Sequence, residues 1–218
     1  VRFKTVGLMI MILSGLLLVA CSGQSTEEAM YEHMEEAVRL EGDFVDQQQP
    51  LGELEQKEQD IYQEISELGM DEYEEIRTLA EQAIASIEER RELTEKEIAS
   101  IEASKNEFEQ IEPLIADLED EALQETAHEM VEKMEERYQA FLVLHEAYQS
   151  SLDYDIALYE LLMKEDLEEP EFTEQVDQVN NQYQEVIDAN HAFNEATDDF
   201  NEKKREFYDQ SDLNITYE

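Results

Sequence analysis

Met30-Tyr-Glu-His33-Met-Glu-Glu-Ala37-Val-Arg-Leu40-Glu-Gly-Asp-Phe44-Val-Asp-Gln47-Gln-Gln-Pro50-Leu51 decides how this chain folds. Alternating steps of three and four residues from Met30 pick out His33, Ala37, Leu40, Phe44, Gln47 and Leu51. The same register continues through Leu54, Glu58, Ile61, Ile65 and Leu68 without a break. A repeat of about 3.5 residues lays these positions along one stripe of an α-helix, and a stripe held this long marks a helix that packs lengthwise on others. Pro50 lies inside the register. Its ring removes a backbone donor and crowds the carbonyl one turn back, so a kink or short interruption is expected between Gln47 and Gly52.

The same reading extends to the rest of the chain. Gly69 reads as a stop, and Asp71 with Glu74 as a capping-box-like start. The second seam runs Tyr73, Ile76, Ala80, Ala83, Ile87, Arg90, Thr94, Glu97, Ile101, Ser104, Phe108 and Ile111. Pro113 marks a connection lying between residues 110 and 121. The third seam runs Leu123, Ala127, Met130, Met134, Arg137, Phe141, Leu144, Tyr148, Ser151, Asp155, Leu158 and Leu162. Pro170 separates it from the fourth, Phe172, Val176, Val179, Tyr183, Val186, Asn190, Phe193, Thr197, Phe200, Lys204 and Phe207. A helix with one apolar stripe cannot bury it alone, and short links make sequential helices antiparallel. The expected fold is therefore all-α: an elongated up-and-down bundle of four helical segments of roughly 40 residues, each about 60 Å long. A three-helix bundle with a kinked first helix is the alternative. The bundle domain is expected over residues 27–209, with residues 210–218 as a tail that lacks the period.

Residues 1–20 read differently. Arg2 and Lys4 precede an almost unbroken apolar run from Val6 to Val19, the pattern of a secretory signal. Leu18-Val19-Ala20-Cys21 resembles the bacterial lipobox and carries the chain's only cysteine. That resemblance implies cleavage before Cys21 and a diacylglyceryl group on its sulfur, with fatty acyl chains such as palmitate. Two acyl chains hold a protein stably on a bilayer without spanning it. Residues 21–26 would then be a short lipidated leash.

Composition excludes several classes of function. The 218 residues carry 58 Asp and Glu against 15 Lys and Arg, a formal charge of −43, which repels phosphate backbones and makes nucleic acid an unsuitable partner. All six glycines lie at or before Gly69, so the remainder supplies no Gly-rich phosphate loop. A single cysteine forms no disulfide within the chain. Glu125-Thr-Ala-His128 matches one half of a di-iron bundle motif, but the second half is absent, Asp188-Ala-Asn-His191 being the nearest substitute. His128-Glu-Met-Val-Glu132 ends in Glu where a zincin helix needs histidine. His33 and His145 lack partners at ligand spacing. No catalytic residue, metal ligand or cofactor-binding residue is assigned, and the chain is read as a non-enzyme.

Glu58, Arg90, Glu97, Arg137, Asp155, Asn190 and Lys204 interrupt apolar seams. Such positions fix register and partner choice between helices at a cost in stability. Asn194 and Asn201, seven apart beside Phe193 and Phe200, form a stripe read first as an interhelical hydrogen-bond ladder and second as an outward amide surface. Tyr138, Tyr148 and Tyr159 are read as core first and binding surface second.

The lipobox, the run Leu40 to Leu51 leading into Glu53-Leu-Glu-Gln-Lys-Glu58, Arg137-Tyr138 followed by Tyr148, Asn180 to Tyr183, and Phe193-Asn194 with Phe200-Asn201 before Lys204 and Phe207-Tyr208 together resemble one family. It is the YkyA-like family of cell-wall binding lipoproteins of low-GC Gram-positive bacteria. The resemblance covers nearly the whole mature chain. It implies a lipid-anchored helical bundle on the outer, wall-facing side of the plasma membrane, acting as a wall-binding or structural module with peptidoglycan or another envelope protein as partner. A scaffold or adaptor for another envelope protein is the alternative, and a metal-dependent enzyme in the bundle the less favoured one.

Overall fold

A computed structural model of the chain describes residues 24–211 and 213. The proposed signal, Cys21 and residues 214–218 lie outside the described residues.

Among the described residues, five α-helices form an elongated four-helix bundle: α1 (Thr26–Leu40), α2 (Gly42–Glu67), α3 (Tyr73–Phe108), α4 (Glu121–Leu162) and α5 (Glu169–Gln210). Among the described residues there is no strand. The helices α1 and α2 together make the first arm and pack along α3; α3 packs on α4, and α4 along the whole of α5. Ser25 starts α1 with a reciprocal cap, its Oγ accepting from the Glu28 N–H while the Glu28 carboxylate accepts from the Ser25 N–H, both at 3.1 Å. A 3₁₀ turn at Met70–Glu72 links α2 to α3. There the Glu72 carboxylate accepts from the Gly69 N–H at 3.0 Å, so the start sits two residues before the expected Asp71–Glu74 pair. A longer 3₁₀ stretch, Glu109–Asp117, holds Pro113 and leads to Asp120, which caps α4 through Ala122 N–H at 2.8 Å. Pro170 lies in the first turn of α5, where its missing donor costs nothing.

The first arm breaks at Glu41, not at Pro50 as the sequence suggested. Side chains from the neighbouring helices hold it there. Ser100 Oγ donates to the Leu40 carbonyl at 2.6 Å and accepts from the Phe44 N–H at 3.1 Å, satisfying both sides of the break. Glu41 is clasped by Arg137 and by Ser104 Oγ. Pro50 stays within α2; the carbonyl its missing N–H leaves free belongs to Asp46, an exposed residue, where an unpaired carbonyl costs less than in a core.

The core divides into three apolar clusters. Met30, Met34, Phe108, Ile111, Met130 and Phe207 fill one end, with Leu213 beyond α5 packed against them. Ile101, Phe141 and Phe193 with Phe44 fill the middle. Ile61, Ile65, Ile76, Ile87, Leu152 and Tyr159 belong to the other end. Every seam position of α3 from Ile76 to Phe108 is buried, the polar ones included. Those polar positions form the layers between the clusters.

Candidate functional site

Six of the seven interrupting polar residues converge on one side of the bundle. Arg90, 3 % exposed, reaches from α3 to Glu58 of α2, to Asp155 of α4 with Nη2 3.5 Å from Oδ2, and to the Tyr148 hydroxyl at 3.4 Å. Tyr148 donates to Glu55 at 2.7 Å, and Tyr183 of α5 donates to Asp155 Oδ1 at 2.7 Å. Among the described residues, two buried atoms of this layer have no hydrogen-bond partner: Arg90 Nε and Asp155 Oδ2. Asp155 is 1 % exposed. Burial raises the Glu58 carboxyl to about 7 in spite of Arg90, and the Asp155 carboxyl to about 6 in spite of the Tyr183 hydroxyl. Burial also raises the Tyr148, Tyr159 and Tyr183 hydroxyls, which stay neutral.

A second centre lies nearer the break. Arg137 grips Glu41 with both guanidinium ends, at 2.7 and 2.8 Å, and its Nε donates to Thr197 Oγ1 of α5 at 3.2 Å. The guanidinium rests on the Phe193 ring, 5.3 Å from its centroid. Between the two centres, Glu97 accepts from Gln48 Nε2 at 2.6 Å. Burial, and secondarily the charge of Glu55, raises its carboxyl to about 7.

These centres form the floor of a groove. The α2 and α5 helices meet through the rings of Phe44 and Phe193, 6.2 Å between centroids, and beyond that contact they stand apart. Two cavities of about 620 and 540 Å³ occupy the gap. Glu55, Tyr148, Val186 and Ile187 line both, so the two cavities adjoin along one groove, called the channel below. The α5 seam, buried at Phe193 and Phe200, becomes exposed at Tyr183 and Asn190, where it lines the opening. A groove with apolar walls and a few converging polar groups has the general form of a ligand site.

Of the polar seam residues, Glu58, Arg90, Glu97, Arg137, Asp155 and Asn190 all line this channel, while Lys204 sits near Phe200, 5.9 Å from the ring centroid. The expected interhelical asparagine ladder does not form. Asn194 donates to Asn190 one turn earlier on the same helix at 2.9 Å, and both are exposed beside the groove, so the outward amide reading applies. Asn201 is likewise exposed. Tyr159 is core, Tyr148 lines the groove, and Tyr138 lies under the Lys105 ammonium at 5.0 Å. His33 pairs with Glu107 at 2.7 Å across α1 and α3. Glu125 and His128 are exposed on α4, and among the described residues no group of three or more His, Cys, Asp or Glu is arranged to hold a metal ion.

Glu41, Gln48 and Glu55 went unrecognised in the sequence. Glu41 had a signal: an arginine in an apolar seam, Arg137, requires an acid at its level on another helix. Strict heptad counting selected Leu40, one residue earlier, at this level of the seam.

Residues 25–210 match the protein family YkyA, described as "Putative cell-wall binding lipoprotein". The chain is 28 % identical over 200 residues to the uncharacterized lipoprotein YkyA of Bacillus subtilis (strain 168), covering 92 % of this chain and 90 % of that one. Its fold resembles the crystal structure of a conserved protein of unknown function from Staphylococcus aureus, with a TM-score of 0.65 at 10 % identity over 86 % of this chain and 98 % of that one.

Proposed function

The chain belongs to the YkyA family of lipoproteins, and from that premise we propose that it is a binding module whose ligand lies in the groove between α2 and α5. As a lipoprotein of this family it sits on the outer, wall-facing side of the plasma membrane. We assign the lipid to Cys21, on the lipobox Leu18-Val19-Ala20-Cys21, with residues 1–20 as the signal. The first helix begins at Thr26, five residues beyond Cys21, so the lipid would hold the start of α1 close to the bilayer. The observation that carries the binding role is the groove between α2 and α5, where buried charged residues from α2, α3 and α4 line a cavity of about 540 Å³.

The occupant we propose is a polymer of the cell wall. Since the chain carries a formal charge of −43, anionic wall polymers and anionic headgroups are repelled, and the attractive target is the peptidoglycan. Co-sedimentation with purified sacculi tests this. A soluble chain starting at Ser22 should pellet with sacculi and elute with competing wall fragments. A chain that stays in the supernatant at both low and moderate salt would contradict direct wall binding.

A further inference from the structure

We propose that the groove between α2 and α5 seats the aminoalkyl side chain of an extended peptide, its primary ammonium ion bonded to Asp155 and Glu58. This deepens the binding reading above and rests on it.

Three observations converge on that occupant. The first is an acceptor with nothing to accept: Asp155 is 1 % exposed, Tyr183 donates to its Oδ1, and Oδ2 has no hydrogen-bond donor among the described residues. Arg90 Nη2 stands 3.5 Å from Oδ2, which supplies charge without a hydrogen bond. A buried carboxylate oxygen in that condition is costly, and a donor from a ligand relieves it.

The second is charge. Glu55 and Glu58 of α2 and Asp155 of α4 face the single guanidinium of Arg90 from α3, and the groups completing the layer are the neutral hydroxyls of Tyr148, Tyr159 and Tyr183. Among the described residues, no lysine or second arginine lines this half of the channel. A cation completes the neutralisation, whereas a phosphate, sulfate or carboxylate head would meet three like charges. Burial has already raised Glu58 to about 7 and Asp155 to about 6, so a cation arriving near neutral pH would displace protons from them.

The third is shape. Leu158, Val179, Val186 and Ile187 line the same cavity as Asp155, and these apolar walls suit a slender methylene stem better than a polar ring. A lysine-type side chain has that form: an apolar stem ending in a compact head with three donors.

The test is titration of the chain from Ser22 onward, which contains every described residue, with two blocked tripeptides, acetyl-Ala-Lys-Ala-amide and acetyl-Ala-norleucine-Ala-amide. Norleucine has a stem of the same four carbons and no ammonium. The lysine peptide should shift the amide resonances of Val179, Tyr183 and Ile187, bind about tenfold or more tighter than the norleucine peptide, and release protons measurable by calorimetry in two buffers at neutral pH. Asp155→Asn should weaken it about tenfold, while Glu132→Gln, at an exposed position on α4, should leave it unchanged. Equal binding of the two peptides overturns the proposal on wild-type protein, whatever the variants do. So does an equal loss in Asp155→Asn and Glu132→Gln, which would reveal diffuse attraction to an acidic surface. Co-sedimentation run in parallel separates the two readings. Wild-type chain that pellets with sacculi but ignores the lysine peptide refutes the ammonium seat alone. Chain that binds the peptide but never pellets refutes the wall reading and leaves the seat standing.

Discussion

Glu97→Gln should stabilise the bundle in mild alkali and leave it nearly unchanged in acid. Glu97 is 7 % exposed, and its one hydrogen-bond donor is the Gln48 amide, 2.6 Å away. Burial first, and the neighbouring Glu55 second, raise its carboxyl from 4.5 to about 7. A carboxyl whose folded value lies above its unfolded value favours the fold while protonated. That contribution is complete below pH 4.5, declines as pH rises, and is gone once pH passes about 7. Every tenfold change in proton affinity is worth about 1.4 kcal/mol, so the ionised side chain costs on the order of 3 kcal/mol. Glutamine keeps the oxygen that accepts from Gln48 and carries no charge. For a bundle of this size that difference amounts to roughly 6–12 °C in thermal midpoint at about pH 8, falling towards zero near pH 4.5. Circular dichroism melts of both proteins across this range measure it directly. An advantage that is the same at both ends of the range, or a variant that melts lower in alkali, would refute the reasoning.

Arg90→Met should cost roughly 3–5 kcal/mol in urea unfolding at about pH 8, because Glu58 and Asp155 then stay buried without a cation; acidification to about pH 5 should recover part of it as both carboxyls take up protons. Ser100→Ala removes both hydrogen bonds that satisfy the α1–α2 break, and should lower stability by about 1–3 kcal/mol, with hydrogen exchange fastest at Phe44. The formal charge of −43 predicts a thermal midpoint that climbs between about 0.05 and about 0.5 M NaCl as screening relieves self-repulsion.

The bundle was legible in the sequence because its information is periodic. The α3 seam from Ile76 to Phe108 is buried at every step, and Pro170 falls in the first turn of α5 as a proline following a finished helix should. Pro50 misled because proline's cost depends on how buried the orphaned carbonyl is, and that one belongs to an exposed residue, Asp46. The real break depends on Ser100 and Arg137, some 60 and 96 residues away, which no local pattern reveals. The candidate site was half legible. Arg90, Glu58, Asp155 and Glu97 stood out as charges inside apolar seams, and the structure brings them to one channel. Their sharing of it was not legible, because heptad phase records which face a residue takes but not which helices stay apart. The gap between α2 and α5 turns the middle of the α5 seam outward, so Tyr183 and Asn190 line an opening where the repeat alone would place them in the core.

The most direct test of the groove as the binding surface is co-sedimentation with sacculi of the wild-type chain beside Gly52→Trp. Gly52 lines the channel, and a Cβ built on it meets no neighbouring heavy atom within 4 Å, so a bulky side chain can be attached at the groove's edge without a clash at its base. With helicity and thermal midpoint matched between the two proteins, wild type should pellet and Gly52→Trp should remain in the supernatant. Equal recovery of both proteins in the pellet would place the binding surface elsewhere on the bundle.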